Sequence, residues 1–312
     1  MRALDVTEAI SNLLDLMRVR STAYIAKNLT APWGVHIDEH TNLARFHFVI
    51  SGATWIGLPG TQETTKLTKG DIAIIPDGKA HEYFDSEDRT DRQSKNYPTP
   101  QTPARFELFD RESEDTHLLC GYFEIAAHTP PALISRLPDL LIGKHQNTSF
   151  GKKLGLVVDL LEQELSNPSG GSVVTMNRLT EVLCIHTIQD WFERTLPEDQ
   201  NLMALSDPKT KLVLDRIHEA PEAHWSVEAL ARLFGQSRTA FIAQFKLATG
   251  MTPMHYVRTW RMKLAQKLLR DTQLSIDEVA FKSGYNDTNA FNRAFRRQTG
   301  KSPGAYRRSG AD

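Results

Sequence analysis

The sequence predicts an α+β chain: a β-barrel or sandwich, then helices, then an all-α C-terminal part built from two helix-turn-helix units. Three observations carry this. Short apolar runs separated by Gly and Pro turn signals fill residues 20–127. Two stretches of helical periodicity follow between Lys152 and Leu196. The last hundred or so residues contain a repeat with a period of about 50. At 312 residues the chain has room for about two domains.

The N-terminus, Met1-Arg2-Ala3-Leu4-Asp5, has no apolar stretch after its basic residue, so no signal peptide is expected. No apolar run is long enough to predict a membrane span. The strands are expected at Phe46–Ile50, Thr54–Leu58, Asp71–Ile75, His81–Phe84 and Leu118–Ile125. Gly52, Pro59-Gly60, Gly70 and Pro76-Asp77-Gly78 punctuate them. The polar segment Asp85–Arg105 reads as a mobile loop, either a lid or an inert insertion. Cys120 and Cys184 fit no metal or redox spacing and read as reduced, buried thiols.

Lys152–Leu165 is expected to be a helix with Leu154, Leu156, Val157, Leu160, Leu161 and Leu165 on its apolar side. Asn167–Gly171 breaks it, and Val173–Leu196 forms the next helix around Met176, Leu179, Leu183, Ile188, Trp191 and Phe192. These two helices are either a dimer interface or a hairpin packed on their own barrel. Asp207-Pro208 starts another helix, with a cap and then proline at its first position, running through Leu212, Leu214 and Ile217.

In the repeat, Phe241, Phe245, Lys246, Thr249, Gly250, Pro253 and Tyr256 recur as Phe291, Phe295, Arg296, Thr299, Gly300, Pro303 and Tyr306. Ala231 and Gly235 recur as Ala280 and Gly284 at a spacing one shorter, so the second copy carries one extra residue before its second helix. In the first copy Ser226 caps a helix with Val227, Leu230, Leu233 and Phe234 on its apolar side. Gly235 turns the chain, and Ser237 caps a second helix. In the second copy Ser275-Ile276-Asp277-Glu278 has capping-box spacing, followed by Val279, Ala280 and Phe281. Gly284 then turns and Asp287 caps. Met254–Arg270 joins the copies as a long helix expected to bury Tyr256, Val257, Trp260, Leu264 and Leu268.

A helix-turn-helix points its second helix into the major groove. The outward positions are Arg238, Thr239, Ile242, Ala243 and Lys246 in the first copy, and Thr288, Asn289, Asn292, Arg293 and Arg296 in the second. Arg and Asn make bidentate contacts to guanine and adenine edges, so Arg293 and Asn289 are the strongest candidates for base reading. Ser237, Lys246, Arg296, Arg297 and Lys301 are assigned to phosphates. Any one of these positions alone also fits a solvated polar site. The charge distribution agrees with the motif. From Ser206 onward there are 18 basic and 10 acidic residues, against 19 and 28 before it, so a basic part follows an acidic body.

Asp207–Arg308 resembles the DNA-binding domain of the AraC/XylS family of bacterial regulators, most specifically across Gly284–Arg297, Thr299-Gly300, Ser302-Pro303 and Tyr306. The resemblance implies two helix-turn-helix subdomains on one long helix, reading successive major grooves about 34 Å apart, and contact with RNA polymerase. It also departs from the family, which often has an arginine where Ala243 stands, beside apolar Ile242. The first copy is therefore expected to position more than read. Upstream, Gly70, Pro76, Gly78 and His81 resemble the second motif of the cupin family. Pro32-Trp33-Gly34 and Phe46-His47-Phe48 before Gly52 are similar to the cupin domain of a branch of AraC-type regulators.

Metal-binding cupins use His, His, Glu and a further His. Here His81 matches the last ligand, but the Glu position is Arg45 and the two His positions are Asp38 and His40. His36, His40, His47 and His81 form an alternative imidazole set, and packed, hydrogen-bonded barrel histidines are the competing reading. No catalytic constellation is evident and no cofactor is expected. Trp33, Arg45, His47, Trp55 and His81 are candidate lining residues of a small-molecule site.

The sequence reading is therefore a cupin-like sensor over 1–150, a helical linker with a dimerisation role over 151–205 and an AraC-type DNA-binding domain over 206–312. As a whole it predicts a cytoplasmic, ligand-controlled transcription activator. The alternatives are a metal-dependent cupin enzyme with a DNA anchor and a constitutive DNA binder.

Overall fold

The computed structural model describes residues 3–17, 19–40, 43–61, 63–87, 95–96, 105–106, 115–124, 129–144 and 149–309. A helix, α1 (Ala3–Met17), opens the chain. The strands are β1 (Arg20–Leu29), β2 (Gly34–Ile37), β3 (Ala44–Ser51), β4 (Ala53–Gly57), β5 (Thr64–Thr68), β6 (Ile72–Ile75), β7 (His81–Phe84), β8 (Lys95–Asn96), β9 (Arg105–Phe106), β10 (Thr116–Glu124) and β11 (Leu141–Gly143), with α2 (Pro131–Ile134) before β11. The helices α3 (Ser149–Ser166), α4 (Ser172–Thr195), α5 (Gln200–Ser206), α6 (Pro208–Glu219), α7 (Val227–Phe234), α8 (Arg238–Thr249), α9 (Pro253–Asp271), α10 (Ile276–Lys282), α11 (Thr288–Thr299) and α12 (Pro303–Ser309) follow. None of the described helices is long and apolar enough to cross a membrane.

Two compact units result. One holds the described residues within Arg18–Ala126 and Ile134–Thr195; the other holds those within Met1–Met17, Ala127–Leu133 and Leu196–Asp312. These units do not follow the expected boundaries at 150 and 205. The reason is burial. The apolar stripe Ile10, Leu13, Leu16 and Met17 of α1 is buried, and α1 packs on α5 and α6. Asn12 Nδ2 also donates to the Ser206 carbonyl at 3.0 Å.

The first unit is a barrel of two sheets. One has the order β11-β6-β3-β10-β1-β9, the other β5-β4-β7-β2-β8. Between them lies a core of Val35, Ile37, Val49, Ile56, Leu67, Ala73, Ile75, Tyr83, Leu118 and Cys120. Strand β3 is buried on both faces along nearly its whole length, so its apolar residues Phe46, Phe48, Val49 and Ile50 show no alternation with exposed ones, and Arg45 and His47 are buried among them. Helix α4 covers the outer side of β1. Ser21 Oγ and Thr180 Oγ1 lie 2.8 Å apart. At the bulge between Ala23 and Ile25, Ala23 N–H donates to Asn177 Oδ1 at 2.8 Å. The α3–α4 hairpin thus packs on its own barrel, with Leu154, Val158, Leu161 and Leu165 buried while Leu156 and Leu160 face outward. The segment Asp85–Arg105 lies mostly outside the described residues; β8 pairs with β2 and β9 with β1, both in parallel.

The second unit repeats itself in geometry as it does in sequence. Phe241 and Phe245 are 5.5 Å apart and Phe245 meets Tyr256 edge-on at 5.6 Å. Phe291 and Phe295 are 5.6 Å apart and Phe295 meets Tyr306 edge-on at 5.4 Å. Ser226, Ser237 and Asp287 cap α7, α8 and α11, and Ser275 with Glu278 closes a capping box on α10. Helix α8 begins three residues after Gly235 and α11 four after Gly284, which is the expected extra residue.

Besides Leu156 and Leu160, further apolar assignments differ. Leu233 and Phe281 are exposed at the ends of α7 and α10, and Leu212 is exposed on α6. On α9 the buried residues are Tyr256 and Val257, then Met262, Ala265 and Leu269, while Trp260, Leu264 and Leu268 are half-buried. This helix serves two cores. Its first half meets Phe245, and its second half joins Val279, Ala280, Phe291 and Phe295, so its apolar stripe changes face midway.

Candidate nucleic-acid interface and barrel interior

The α8 and α11 surfaces follow from the alternation that builds their cores. With Phe241 and Phe245 buried, α8 presents Arg238, Thr239, Ala243 and Lys246 to solvent, and Ile242 half-buried. With Phe291 and Phe295 buried, α11 presents Asn289, Arg293, Arg296 and Arg297, with Thr288 and Asn292 half-buried. Ser237 and Lys301 are exposed beside the two helices. The second copy therefore has the more polar outward face.

Two of these residues tie one helix of their motif to the other. Arg238 Nη1 pairs with Glu228 Oε1 at 2.9 Å, and Thr288 Oγ1 donates to Asp277 Oδ1 at 2.6 Å. Both links run from the first residue of the second helix to the second residue of the first helix. Each motif thus has an equivalent cross-brace, which the sequence repeat hides because the residue types differ. The carboxyl of Glu228 is held below the usual range by its backbone and Ser226 hydrogen bonds and by Arg238. Gln244 Nε2, also unassigned from sequence, donates to Asp207 Oδ2 at 3.3 Å and links α8 to the cap of α6.

Inside the barrel, β3 and β7 bring His47 and His81 together, with their Nε2 atoms 2.9 Å apart. The Tyr83 hydroxyl bonds the His47 ring. His81 Nδ1–H donates to the Lys79 carbonyl at 2.7 Å. Arg45 and Cys120 are buried in the same group, Cys120 standing opposite His47 across the sheet. Burial lowers the His47 pKa well below 6.5, with His81 and Arg45 adding to it. Burial likewise lowers His81 to about 4 and raises the Cys120 thiol to about 12. These are neutral groups around one guanidinium, and the thiol is not a nucleophile.

The other candidates are placed apart. Trp33 is half-buried against the core, its backbone N–H donating to Asp85 Oδ2 at 3.0 Å. Trp55 lies on the opposite face of β4 from the core residue Ile56, with Lys66 Nζ 4.7 Å from its ring, so it does not line the interior with His47 and His81. His36 turns outward, its Nδ1 3.0 Å from Glu82 Oε1 and its Nε2 3.4 Å from Asp38 Oδ1. His40 sits in the turn against Gly78, its backbone N–H donating to the Gly78 carbonyl at 2.9 Å. The imidazole set of four is therefore not assembled. Among the described residues no group of three or more His, Cys, Asp or Glu side chains is arranged to hold a metal ion. The donor set does not fit a cupin metal, because Arg45 opposes a cation where a carboxylate would attract one.

A barrel of this topology followed by two braced helix-turn-helix motifs defines a DNA-binding transcription regulator with a cupin domain. A family model described as "Cupin" matches residues 8–193, more than half of the chain, and one described as "Helix-turn-helix domain" matches 230–309. The chain belongs to the AraC family of transcription regulators that carry an N-terminal cupin domain. It is 28% identical to the HTH-type transcriptional regulator AlkR of Acinetobacter baylyi, over 96% of this chain and 99% of that protein. It is 24% identical to the HTH-type transcriptional regulator MtrA of Neisseria gonorrhoeae, over 97% and 99%. Among solved structures, the DNA-binding domain of AdpA in complex with a target DNA is 37% identical, covering 33% of this chain and 92% of that one, with a TM-score of 0.32.

Proposed function

We propose that the chain is a conditional transcription activator in the cytoplasm: a small molecule bound inside the barrel controls how α8 and α11 engage an operator and RNA polymerase. The observation that carries this is the pairing, in one chain, of two exposed recognition faces with a buried polar group inside the barrel, Arg45, His47, His81, Tyr83 and Cys120. Buried polar groups of this kind are costly unless they are satisfied or used.

In this reading Asn289 and Arg293 read bases, Asn292 and Thr239 support them, and Ser237, Lys246, Arg296, Arg297 and Lys301 hold phosphates. Ile242 and Ala243 meet thymine methyls. Arg238 and Thr288 brace the motifs and reach DNA secondarily. Regulation requires the effector to bind one conformation better than another. The covalent path supports such coupling. β1 and β10 are antiparallel neighbours, with Arg20 opposite Glu124. β1 follows α1 in the chain, and β10 precedes Thr129–Leu133; both α1 and that segment belong to the helical unit. Thr129 Oγ1 donates to the Leu16 carbonyl at 2.9 Å, so these two segments are joined to each other.

Selection of duplexes from random DNA by the full chain, followed by a stabilisation screen of small molecules, tests the reading. The expected result is one enriched bipartite sequence and a compound that shifts both the melting curve and operator affinity. A compound-independent affinity and a barrel that nothing stabilises would instead make the chain a constitutive binder.

A further inference from the structure

We propose that Arg261 and Gly284 form a joint that locks the two helix-turn-helix units at one setting, and so fixes the half-site spacing the protein accepts; this rests on both units binding DNA. Arg261 lies on α9, at the point where that helix passes from one core to the other. Its Nε–H donates to the Pro221 carbonyl at 2.8 Å and its Nη2–H to the Ala223 carbonyl at 2.9 Å. Both carbonyls belong to the loop that leads into α7 of the first helix-turn-helix unit. That loop is shaped by its own bonds: Trp225 Nε1–H donates to the Ala220 carbonyl at 2.9 Å and Trp225 N–H to that of Ala223 at 2.8 Å.

The turn of the second helix-turn-helix unit closes on the same spot. Gly284 has φ +84°, and a Cβ there would stand 2.3 Å from the Pro221 oxygen and 2.6 Å from Arg261 Nε. Glycine is thus required twice, for its left-handed backbone and for the close approach. Half-buried Tyr285 follows, with the guanidiniums of Arg261, Arg297 and Arg258 close enough to oppose the upward shift that burial gives its phenol. Three elements therefore meet at one guanidinium: the entry loop of the first helix-turn-helix unit, the connecting helix and the turn of the second helix-turn-helix unit.

A joint is needed because apolar packing along α9 has little directional preference. Rotation of one unit about α9 would displace one recognition helix relative to the other. Two charge-assisted bonds from a planar guanidinium to fixed carbonyls are directional and resist that rotation. The two helices must meet grooves about one turn of DNA apart, and each added base pair shifts the second groove by about 3.4 Å and about a tenth of a turn. A rigid joint therefore converts spacing into specificity.

The test uses the full chain, the duplex it selects from random DNA, each half-site alone, and duplexes with one base pair inserted or removed between half-sites. The wild type is expected to lose about tenfold or more on insertion. Arg261→Ala should keep each single half-site affinity within about twofold and reduce the spacing penalty to about threefold or less. Arg261→Lys, which reaches one carbonyl but not both, should fall between, and it replaces the alanine variant if a melting curve shows that one unfolded. A wild-type spacing penalty in folded Arg261→Ala, or a proportional loss at single half-sites, would overturn the proposal. A second measurement is independent of DNA. Spin labels at Arg232→Cys and Lys282→Cys, both exposed, with Cys120 and Cys184 buried, should give a narrow distance distribution that broadens in Arg261→Ala. An unchanged width overturns the joint. Wild-type protein that bound neither half-site would overturn the DNA reading instead, and the label distances would still decide the joint.

Discussion

Arg293 sits between the buried Phe291 and Phe295 on α11, so its side chain is held outward by two aromatic anchors. Such a residue reads an edge with a fixed origin, and Arg293→Ala is expected to relax base preference at one operator position at a cost of about 1–3 kcal/mol. Affinity measured across all four bases at that position checks this; unchanged discrimination would remove Arg293 as a reader. Inside the barrel, burial keeps His81 neutral, with a pKa of about 4 against 6.5 in an unfolded chain. The unfolded state binds the extra proton between those values, so stability is full above about pH 6.5 and falls as pH drops towards 4. The loss at the acid end is about 3 kcal/mol for this one group, and His47 adds to it in the same direction. Denaturant titrations at a series of pH values should show that slope, and His81→Gln should flatten it. At this scale the sequence shows whatever is local. Ser226, Ser237, Asp287 and the Ser275–Glu278 box are legible because cap and helix are adjacent in the chain. The partners of Arg238, Thr288 and Arg261 are not, since they lie 10, 11 and about 40 residues away.

The elements that sequence periodicity misplaces are those with divided duties. Helix α9 turns its apolar stripe to serve two cores, so no single helical face describes it. Strand β2 sets Val35 and Ile37 among Gly34 and His36, and β11 has only three residues, so neither stands out as an apolar run. β1 is long, but its bulge at Ala23–Ile25 breaks the period. Helix α1 is the consequential case, because its apolar side is complete only against α5 and α6, almost two hundred residues downstream. Leu13 is fully buried on that side. Leu13→Ala is expected to cost about 2–4 kcal/mol in the helical unit. Because α5 also packs on α8, the loss should reach the first recognition helix. Hydrogen exchange read by peptide would show faster exchange in α5, α6 and α8 and no change in β3 or β6. Protection lost equally in the barrel strands, or nowhere, would show that α1 is not an integral part of the DNA-binding unit.

For the whole molecule, the exposed apolar surface of α3 bears on assembly. Leu156 and Leu160 lie one turn apart and are 71% and 48% exposed, while Leu154, Val158, Leu161 and Leu165 fill the packed side of the same helix. Adjacent leucines on a solvent face are costly in a monomer and are buried readily by a second copy of the same helix, which would bring four helix-turn-helix units to one DNA. The expected outcome is a species of twice the chain mass in sedimentation at micromolar concentration, and an operator that repeats the single-chain site. Leu156→Asp with Leu160→Asp should give a monomer that still melts cooperatively, since neither side chain belongs to the core, with its melting temperature lowered only by the loss of the dimer's own stabilisation. Linkage of two binding events through one dimer contributes an effective concentration, so the variant should bind the full operator about a hundredfold or more weaker while keeping its affinity for one single-chain site. A wild type that sediments as a monomer, or a variant that keeps full-operator affinity, would confine recognition to one chain, and the spacing set within that chain would then carry all of the specificity.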